Sequence, residues 1–328
     1  MATIGATLPT LVDITKRLDP NGSIAVIGEL LSQNNAVVED LGWKEGNKID
    51  GHQITQRTQL PTSYYRLINQ GVAPSKSTTA QITEMTAILE ARGQIDVDLA
   101  LLNGNSAAWR LSENTPFLES MTQKFVEKFF YGNAGLDPEQ FSGLAMRYSS
   151  LSAGNAQNIV DAGGTGSDNS SIWFIPTNSD AFFGIYPKGS QAGLIHEDLG
   201  IDDAFDSSNN RFRAYLDRYQ WKHAIALVDW RHVGRIANID ISNLVAQSGQ
   251  AIMTTQMIKM AARLRSLDGV KIYMNRTLLQ YLEIEQRAAV SVGGQLSYAV
   301  IDGKPVTSFR GMPIRIVDQL LETEARVV

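Results

Sequence analysis

The sequence contains no cysteine, which excludes disulfides and thiolate metal sites and leaves packing or assembly to supply stability. It has no excess of positive charge either. A formal net charge of −5 argues against a dedicated nucleic-acid binder, which needs a positive field to release counterions from phosphates. No run approaches the roughly 20 apolar residues of a membrane span. The first basic residue is Lys16 and no apolar core of signal-peptide length follows Met1, so we expect no secretory signal and a soluble, cytoplasmic product. The glycosylation patterns at Asn21, Asn169 and Asn275 then carry no meaning.

Catalytic constellations are equally sparse. Of the four histidines, His196 has no partner four residues on, as a zinc helix would need, and His52 lies in a polar stretch. His223 and His232 face opposite sides if they share one unbroken strand. Residues 163–169, Gly-Gly-Thr-Gly-Ser-Asp-Asn, suggest a phosphate cradle, but no Gly-Lys-Ser/Thr follows and the strand–glycine–helix context is missing, so they read as a loop. The carboxylate pairs Glu197-Asp198 and Asp202-Asp203 read as solvated loop acids rather than acid–base catalysts. We expect no enzyme, no metal and no cofactor. The alternatives kept open are a soluble α/β enzyme without a recognisable catalytic motif and, against the charge balance, a nucleic-acid-binding protein.

What the 328 residues do contain, at 43% hydrophobic and 19% charged, is enough apolar material for two domains or lobes. The strongest pattern is an amphipathic helix predicted from Thr115, as cap, and Pro116, as first helical residue, to Tyr131. Leu118, Met121, Phe125 and Phe129 form its apolar stripe, Val126 and Phe130 widen it, and Gly132-Asn133 stop it in the left-handed conformation. Before it, Leu11–Leu18 and Ser23–Ser32 are short helical patterns around the turn Asp19-Pro20-Asn21-Gly22, either an arm lying on a neighbouring chain or an intramolecular hairpin. Gln53–Leu60 and Thr79–Ala91 read as strands on either side of a long polar tip, an extended hairpin or an ordinary surface one.

After the helix the chain is strand-rich. Ile172–Ile175, Phe182–Tyr186, Phe212–Tyr219 and His223–Ile239 are strand candidates, the last apolar on both faces in its first half. A methionine-rich helix (Met253, Met257, Met260, Leu264, Leu267), capped by Ser248 and ended by Asp268-Gly269, reads as core. Then come strand Val270–Met274, a helix capped by Asn275 to about Gln286, a hairpin turn at Asp302-Gly303, and strand Met312–Asp318.

Several blocks carry a family resemblance. FFYGN (129–133), the Pro138-Glu139-Gln140-Phe141 turn and SGLAMRYSSLS (142–152) resemble the exit from the spine helix of tailed-bacteriophage major capsid proteins with the Hong Kong 97-like fold. YPKGSQAGLIHEDLG (186–200) and QWKHAIALVDWRHVGRIANID (220–240) are the most specific, and resemble a subgroup that includes short-tailed phages of Bordetella. The resemblance implies an α+β Hong Kong 97-like fold: N-terminal arm 1–42, extended hairpin loop 43–80, peripheral domain with spine helix 81–150, a strand-rich and mostly peripheral segment 151–240, and axial domain 241–328.

It further implies a structural subunit that self-assembles into pentamers and hexamers of an icosahedral head around double-stranded DNA, touched non-specifically, which needs no net positive charge. Implied partners are further copies of the chain, a separate scaffolding protein, a portal and a cement protein, with assembly in the host bacterial cytoplasm. Tyr64, Tyr65 and Arg66 are the candidate intersubunit contacts, because aromatics and Arg dominate interface energetics. Lys76 lies near them, but no acceptor for an isopeptide bond is identifiable, so non-covalent shells are expected. The order of blocks looks exchanged relative to better-known members. Residues 212–239 are expected beside the spine helix and residues 242–328 in the axial domain.

Overall fold

The computed structural model describes residues 33, 35–101, 106–177, 180–206, 208–246, 253–288, 296–301 and 304–328. The expected arm lies outside them apart from residues 33 and 35–42, as do the Ser248 cap and the Asp302-Gly303 turn.

Short helices α1 (Val37–Asp40) and α2 (Val97–Leu101) precede the long helix α3 (Ser106–Tyr131). This helix begins a full segment before the expected Thr115 cap. Thr115 Oγ1 donates to the Leu111 carbonyl at 3.0 Å, one turn back, and Pro116 sits inside the helix. The strong helix formers Ala107, Ala108, Arg110, Leu111 and Glu113 carry the helix through a signal that would otherwise start it, at the cost of one main-chain bond at Pro116. Met121, Phe125, Val126, Phe129 and Phe130 are buried as expected, whereas Leu118 is exposed because the first half of the helix runs past the core. Phe117 takes its place, stacked on Tyr219 with centroids 5.6 Å apart.

The helix stops at Gly132 for a different reason than expected. Neither Gly132 nor Asn133 is left-handed. A Cβ on Gly132 would lie 2.5 Å from both the Lys128 and Phe141 carbonyl oxygens, and Gly132 O accepts from Gly143 N at 2.8 Å. Close approach of the return loop, not φ, demands glycine there.

Strands β1 (Trp43–Glu45), β2 (Gly51–Gln59), β3 (Thr78–Met85) and β4 (Ala87–Asp96) come before α2. β2 and β3 pair antiparallel as a separate hairpin with residues 60–77 as its tip. The single strand expected over 79–91 is broken at Thr86, whose N–H and hydroxyl both donate to the Asp50 carbonyl. That break lets β4 leave the hairpin and join another sheet.

After helix α4 (Leu144–Arg147) follow β5 (Ile159–Asp161), β6 (Asn169–Pro176), β7 (Phe182–Tyr186), β8 (Leu194–Phe205), β9 (Arg211–Leu227) and β10 (Gly234–Asp240). The C-terminal part comprises α5 (Ile241–Ala246), α6 (Met253–Arg263), β11 (Val270–Met274), α7 (Arg276–Ala288), β12 (Leu296–Ile301), β13 (Lys304–Phe309) and β14 (Met312–Ile316). One sheet runs β1-β7-β9-β4 with β8 also on β9; a seven-stranded sheet runs β12-β13-β14-β11-β6-β10-β5.

β9 organises the first sheet. Its 17 residues span roughly 55 Å at about 3.3 Å each. One edge pairs with β4 along Ala214–His223, while the other pairs with β8 and then, from Ala224, with β7. The strand expected from 223 to 239 is therefore two strands in two sheets. A 3-10 turn, Trp230–His232, divides them, anchored by Asp229, whose carboxylate accepts from Arg231 N. Its first half packs against the long helix, with Trp221 and His223 at 4.7 and 4.8 Å from the Phe125 ring. Its second half, β10, lies between β6 and β5 in the other sheet.

The seven-stranded sheet is covered on both faces, and side-chain alternation sorts its residues between two cores. Trp173, Ile175, Ala237 and Tyr273 join the core built around α3 and β9. Their neighbours Ile172, Phe174, Ile236, Ile272 and Met274 join the core under α6 and α7, where Met253, Met257 and Met260 are buried. Asn275 Oδ1 accepts from Leu278 N at 2.8 Å and caps α7 as predicted.

Between the cores lies a buried ion pair. Arg235 of β10 donates to Glu324 Oε2 at 2.8 Å, to Ser171 Oγ at 3.0 Å and to the Tyr148 carbonyl at 2.7 Å. Tyr131, the last residue of α3, donates to Glu324 Oε1 at 2.5 Å. Removing one partner strands the other charge in the core. Glu324→Ala is expected to destabilise the subunit by about 3 kcal/mol or more, and an apolar pair at 235 and 324 by clearly less than the two single changes added. Urea unfolding of the four proteins in a double-mutant cycle measures this.

Candidate assembly surface

The expected contact residues Tyr64, Tyr65 and Arg66 sit in the tip of the β2–β3 hairpin, where both tyrosines are exposed. Leu60, Leu67, Ile68 and Val72 are exposed beside them. A stretch that reads as polar thus presents large apolar side chains that none of the described residues covers. The tip is shaped by bonds from side chains to the main chain instead: Ser75 Oγ donates to the Thr62 carbonyl at 2.8 Å, Arg66 to the Gln70 carbonyl at 3.3 Å, and Asn69 takes φ 68. Lys76 is exposed in the same tip.

The root is held quite differently. Buried Glu84 of β3 receives both guanidinium branches of Arg147, the second at 2.7 Å, and Arg147 also donates to the Ser142 carbonyl at 3.0 Å. Ile54 is buried in the α3 core, and Gln56 donates to the Val228 carbonyl at 2.7 Å. His52 meets the edge of Phe183 at 5.5 Å. A bidentate, half-dry ion pair fixes direction as well as position. The hairpin is therefore a lever with a fixed root and an uncovered tip. Nothing in the local sequence marks Glu84 for this role; its partner lies on α4, which is brought there by the return loop after Gly132.

The other candidates resolve into structural roles. Glu197, Asp198, Asp202 and Asp203 are not loop acids but lie on β8, which with β9 makes a second long antiparallel pair that the sequence reading missed. Asp198 pairs with Arg110 at 2.9 Å and Glu197 with Arg218 at 3.4 Å. His196 stacks on Tyr219 at 4.6 Å and shares the buried Asp217 carboxylate with Arg110. His232 lies in the 3-10 turn near Asp229. Residues 163–168 form a loop, whose Gly166 carbonyl accepts from the Asn169 side chain at the start of β6 at 2.7 Å. Among the described residues no group of three or more His, Cys, Asp or Glu is placed to hold a metal, and no helix is long and apolar enough to cross a membrane.

The chain that builds these two sheets, the long helix and the β2–β3 hairpin also matches a known family. A family model described as "Major capsid protein GP7" matches residues 19–328. The chain belongs to this family. A chain in the structure of bacteriophage Epsilon15 is 32% identical, covering 100% of this chain and 99% of that one, with a TM-score of 0.79. The bacteriophage JBD30 capsid is 10% identical, covering 90% of this chain and 95% of that one, at a TM-score of 0.48. No curated protein matches the sequence. The protein is thus a major capsid protein of a tailed phage with the Hong Kong 97-like α+β fold, a structural subunit and not an enzyme.

Within the capsid protein, His223 is a packing residue with a titration signature. Its ring lies 4.6 Å from Trp221 and 5.4 Å from Phe141, and burial pushes its imidazole from the ordinary 6.5 down to about 3. As pH falls through about 6.5 the unfolded chain takes up a proton that the folded chain refuses. This contribution is therefore intact above about pH 6.5 and declines steadily below it. Between pH 7 and 5 the wild-type subunit is expected to lose about 2 kcal/mol more than His223→Phe. Urea titrations of both at the two pH values test it; equal losses would show that His223 is not the proton-linked group.

Proposed function

We propose that this subunit assembles into pentamers and hexamers of a closed icosahedral shell around double-stranded DNA, with the hairpin tip as its principal reach onto a neighbour. The observation that carries this is the contrast within the hairpin: a clamped, partly buried root and a tip whose large apolar side chains are exposed. An isolated two-strand hairpin buries too little to order itself, and a tip of this composition gains by covering a second surface. Tyr64, Tyr65 and Arg66 are the contact residues of that tip.

In this reading residues 51–85 are the extended loop rather than 43–80, because β1 pairs with β7 in the body; α3 with the β9 sheet is the peripheral domain, and the seven-stranded sheet with α6 and α7 is the axial domain. Residues 151–240 then contribute three strands to each sheet, rather than falling mostly in the peripheral domain, and the chain crosses between domains more than once. Packed layers permit this, because they do not record the order in which strands were joined. A separate scaffolding protein, a portal and a cement protein complete the set of partners, with assembly in the host cytoplasm. The narrower likeness to capsid proteins of Bordetella phages remains a resemblance.

Deleting residues 61–75 is expected to leave soluble, folded subunits that form no closed shells, and Tyr64→Ala with Tyr65→Ala to lower the yield of shells. Negative-stain microscopy and sedimentation read both; normal shells from the deletion would refute the role of the tip. Lys76 has no identifiable acceptor, so particles boiled in detergent should give one band near 36.0 kDa. A ladder of multiples would show covalent joining.

A further inference from the structure

A cavity of about 780 Å³ opens at the β5 edge of the seven-stranded sheet. Arg231, Lys259, Arg263 and Arg265 line it, with Asp161 as the only carboxylate in its wall among the described residues. Two elements build this charge. Lys259 and Arg263 are four residues apart on α6, and so share one face. Met257 and Met260 point the other way into the core. Arg231 and Arg265 are joined by a main-chain bond, Arg265 N to the Arg231 carbonyl at 3.1 Å.

The cations are held but not neutralised. Asp229 binds Arg231 at 2.8 Å and stands 3.7 Å from Arg265, so a single carboxylate serves two guanidinium groups. Arg263 donates to main-chain carbonyls, Ile159 at 2.8 Å and Gln157 at 3.4 Å, which orients it without removing its charge. Lys259 pairs with no carboxylate among the described residues. Asp161 is engaged by Gly163 N and Asn238 Nδ2, both at 2.8 Å. A protein with net charge −5 thus concentrates fixed positive charge in one concave place. Like charges so gathered repel, and an anion that meets several donors at once relieves this.

We propose that this cavity is a phosphate-binding site. A tetrahedral, multiply charged oxyanion accepts from several directions and suits arginine forks converging from different elements better than a planar monovalent carboxylate does. Ile159 and Val160 give the wall an apolar portion, and the volume exceeds that of one phosphate ion, leaving room for a sugar or linker. The shared chemistry is the phosphate group, carried either by a free phosphorylated compound or by a nucleic-acid backbone.

The test uses the full-length subunit and inorganic phosphate, titrated calorimetrically at constant ionic strength. Binding is expected in the wild type, weaker by about tenfold or more in Lys259→Glu and by a smaller factor in Lys259→Gln. Lys48→Glu, on the loop before β2, should bind like the wild type. Circular dichroism confirms that each variant is folded, and Lys259→Gln keeps the test alive should the glutamate variant fail to fold. In a second arm, a short labelled DNA duplex that is displaced by phosphate and lost in Lys259→Glu assigns the phosphate to a nucleic-acid backbone. Phosphate binding without duplex binding assigns it to a free phosphorylated compound. No binding at millimolar phosphate, unchanged affinity in folded Lys259→Glu, or preference for polyglutamate over phosphate would each overturn the proposal.

Discussion

The Arg235–Glu324 pair is the constraint on which the two halves of the molecule depend. Arg235 is on β10, Glu324 on the C-terminal segment, Ser171 on β6 and Tyr131 at the end of the long helix, and all four meet at one buried point. A charge this deep is tolerated only when every neighbouring position is filled by a hydrogen-bonding group in the right place. Its geometry therefore fixes where the helix ends relative to the sheet. The C-terminal segment is stitched down around it: Glu324 N donates to Asn169 O at 2.8 Å, and Asn238 exchanges side-chain bonds with the Val327 main chain at 2.7 and 2.9 Å. Asn238 itself takes φ 59, the left-handed bend at the register shift in β10.

A second polar cluster does similar work at the other margin. Asp40 of α1 accepts from Lys271 at 2.5 Å and from the Tyr273 hydroxyl at 3.0 Å, with Arg315 at 3.3 Å. The segment leading into β1 is thereby tied to β11 and β14 of the seven-stranded sheet. Both clusters join elements far apart in the chain, and both lie where one sheet's face meets the other core. Apolar packing alone would allow the two bodies to slide over one another, since area burial is nearly indifferent to direction. Directional, charge-assisted bonds at two separated points remove that freedom.

How much of this is legible in the sequence follows from which forces are local. The stripe Met121, Phe125, Phe129, the cap at Asn275 and the methionine face of α6 are periodic or immediate-neighbour signals, and they survive into the structure. The start of α3 does not, because Thr115-Pro116 is a local start signal overruled by helix formers before it. The reading of residues 223–239 as one strand fails for a related reason. Its apolar character is right for a buried strand, but nothing in an apolar run shows that Asp229-Trp230 turns the chain from one sheet to another. The clamp of Glu84 by Arg147 and the cationic cavity are beyond such reading altogether, because their members approach only through tertiary contacts. The extended tip was legible in placement, while its exposed apolar patch was masked by the prolines, serines and threonines among which Leu60, Tyr64, Leu67 and Ile68 are spaced.

The same logic explains why β8 does not become a second sticky surface like the tip. β8 pairs with β9 alone, so 12 residues of strand lie at a sheet margin with half of their main-chain groups turned outward, the usual template for unwanted pairing. Leu199, Ile201 and Phe205 are exposed along it. Its defences are also in place. Gly200, at φ 76, marks a bulge that breaks the regular register, and Glu197, Asp198, Asp202 and Asp203 put acid side chains along the strand. A neighbouring copy that tried to add its own β8 would bring like charges together, which antiparallel pairing penalises directly. The hairpin from Gly51 to Thr83, in contrast, holds Arg57, Arg66 and Lys76 and no acid. The two strand pairs thus differ at their exposed margins: acid side chains, three of them held by Arg110, Arg211 and Arg218, line β8, while the tip of the hairpin carries only basic ones.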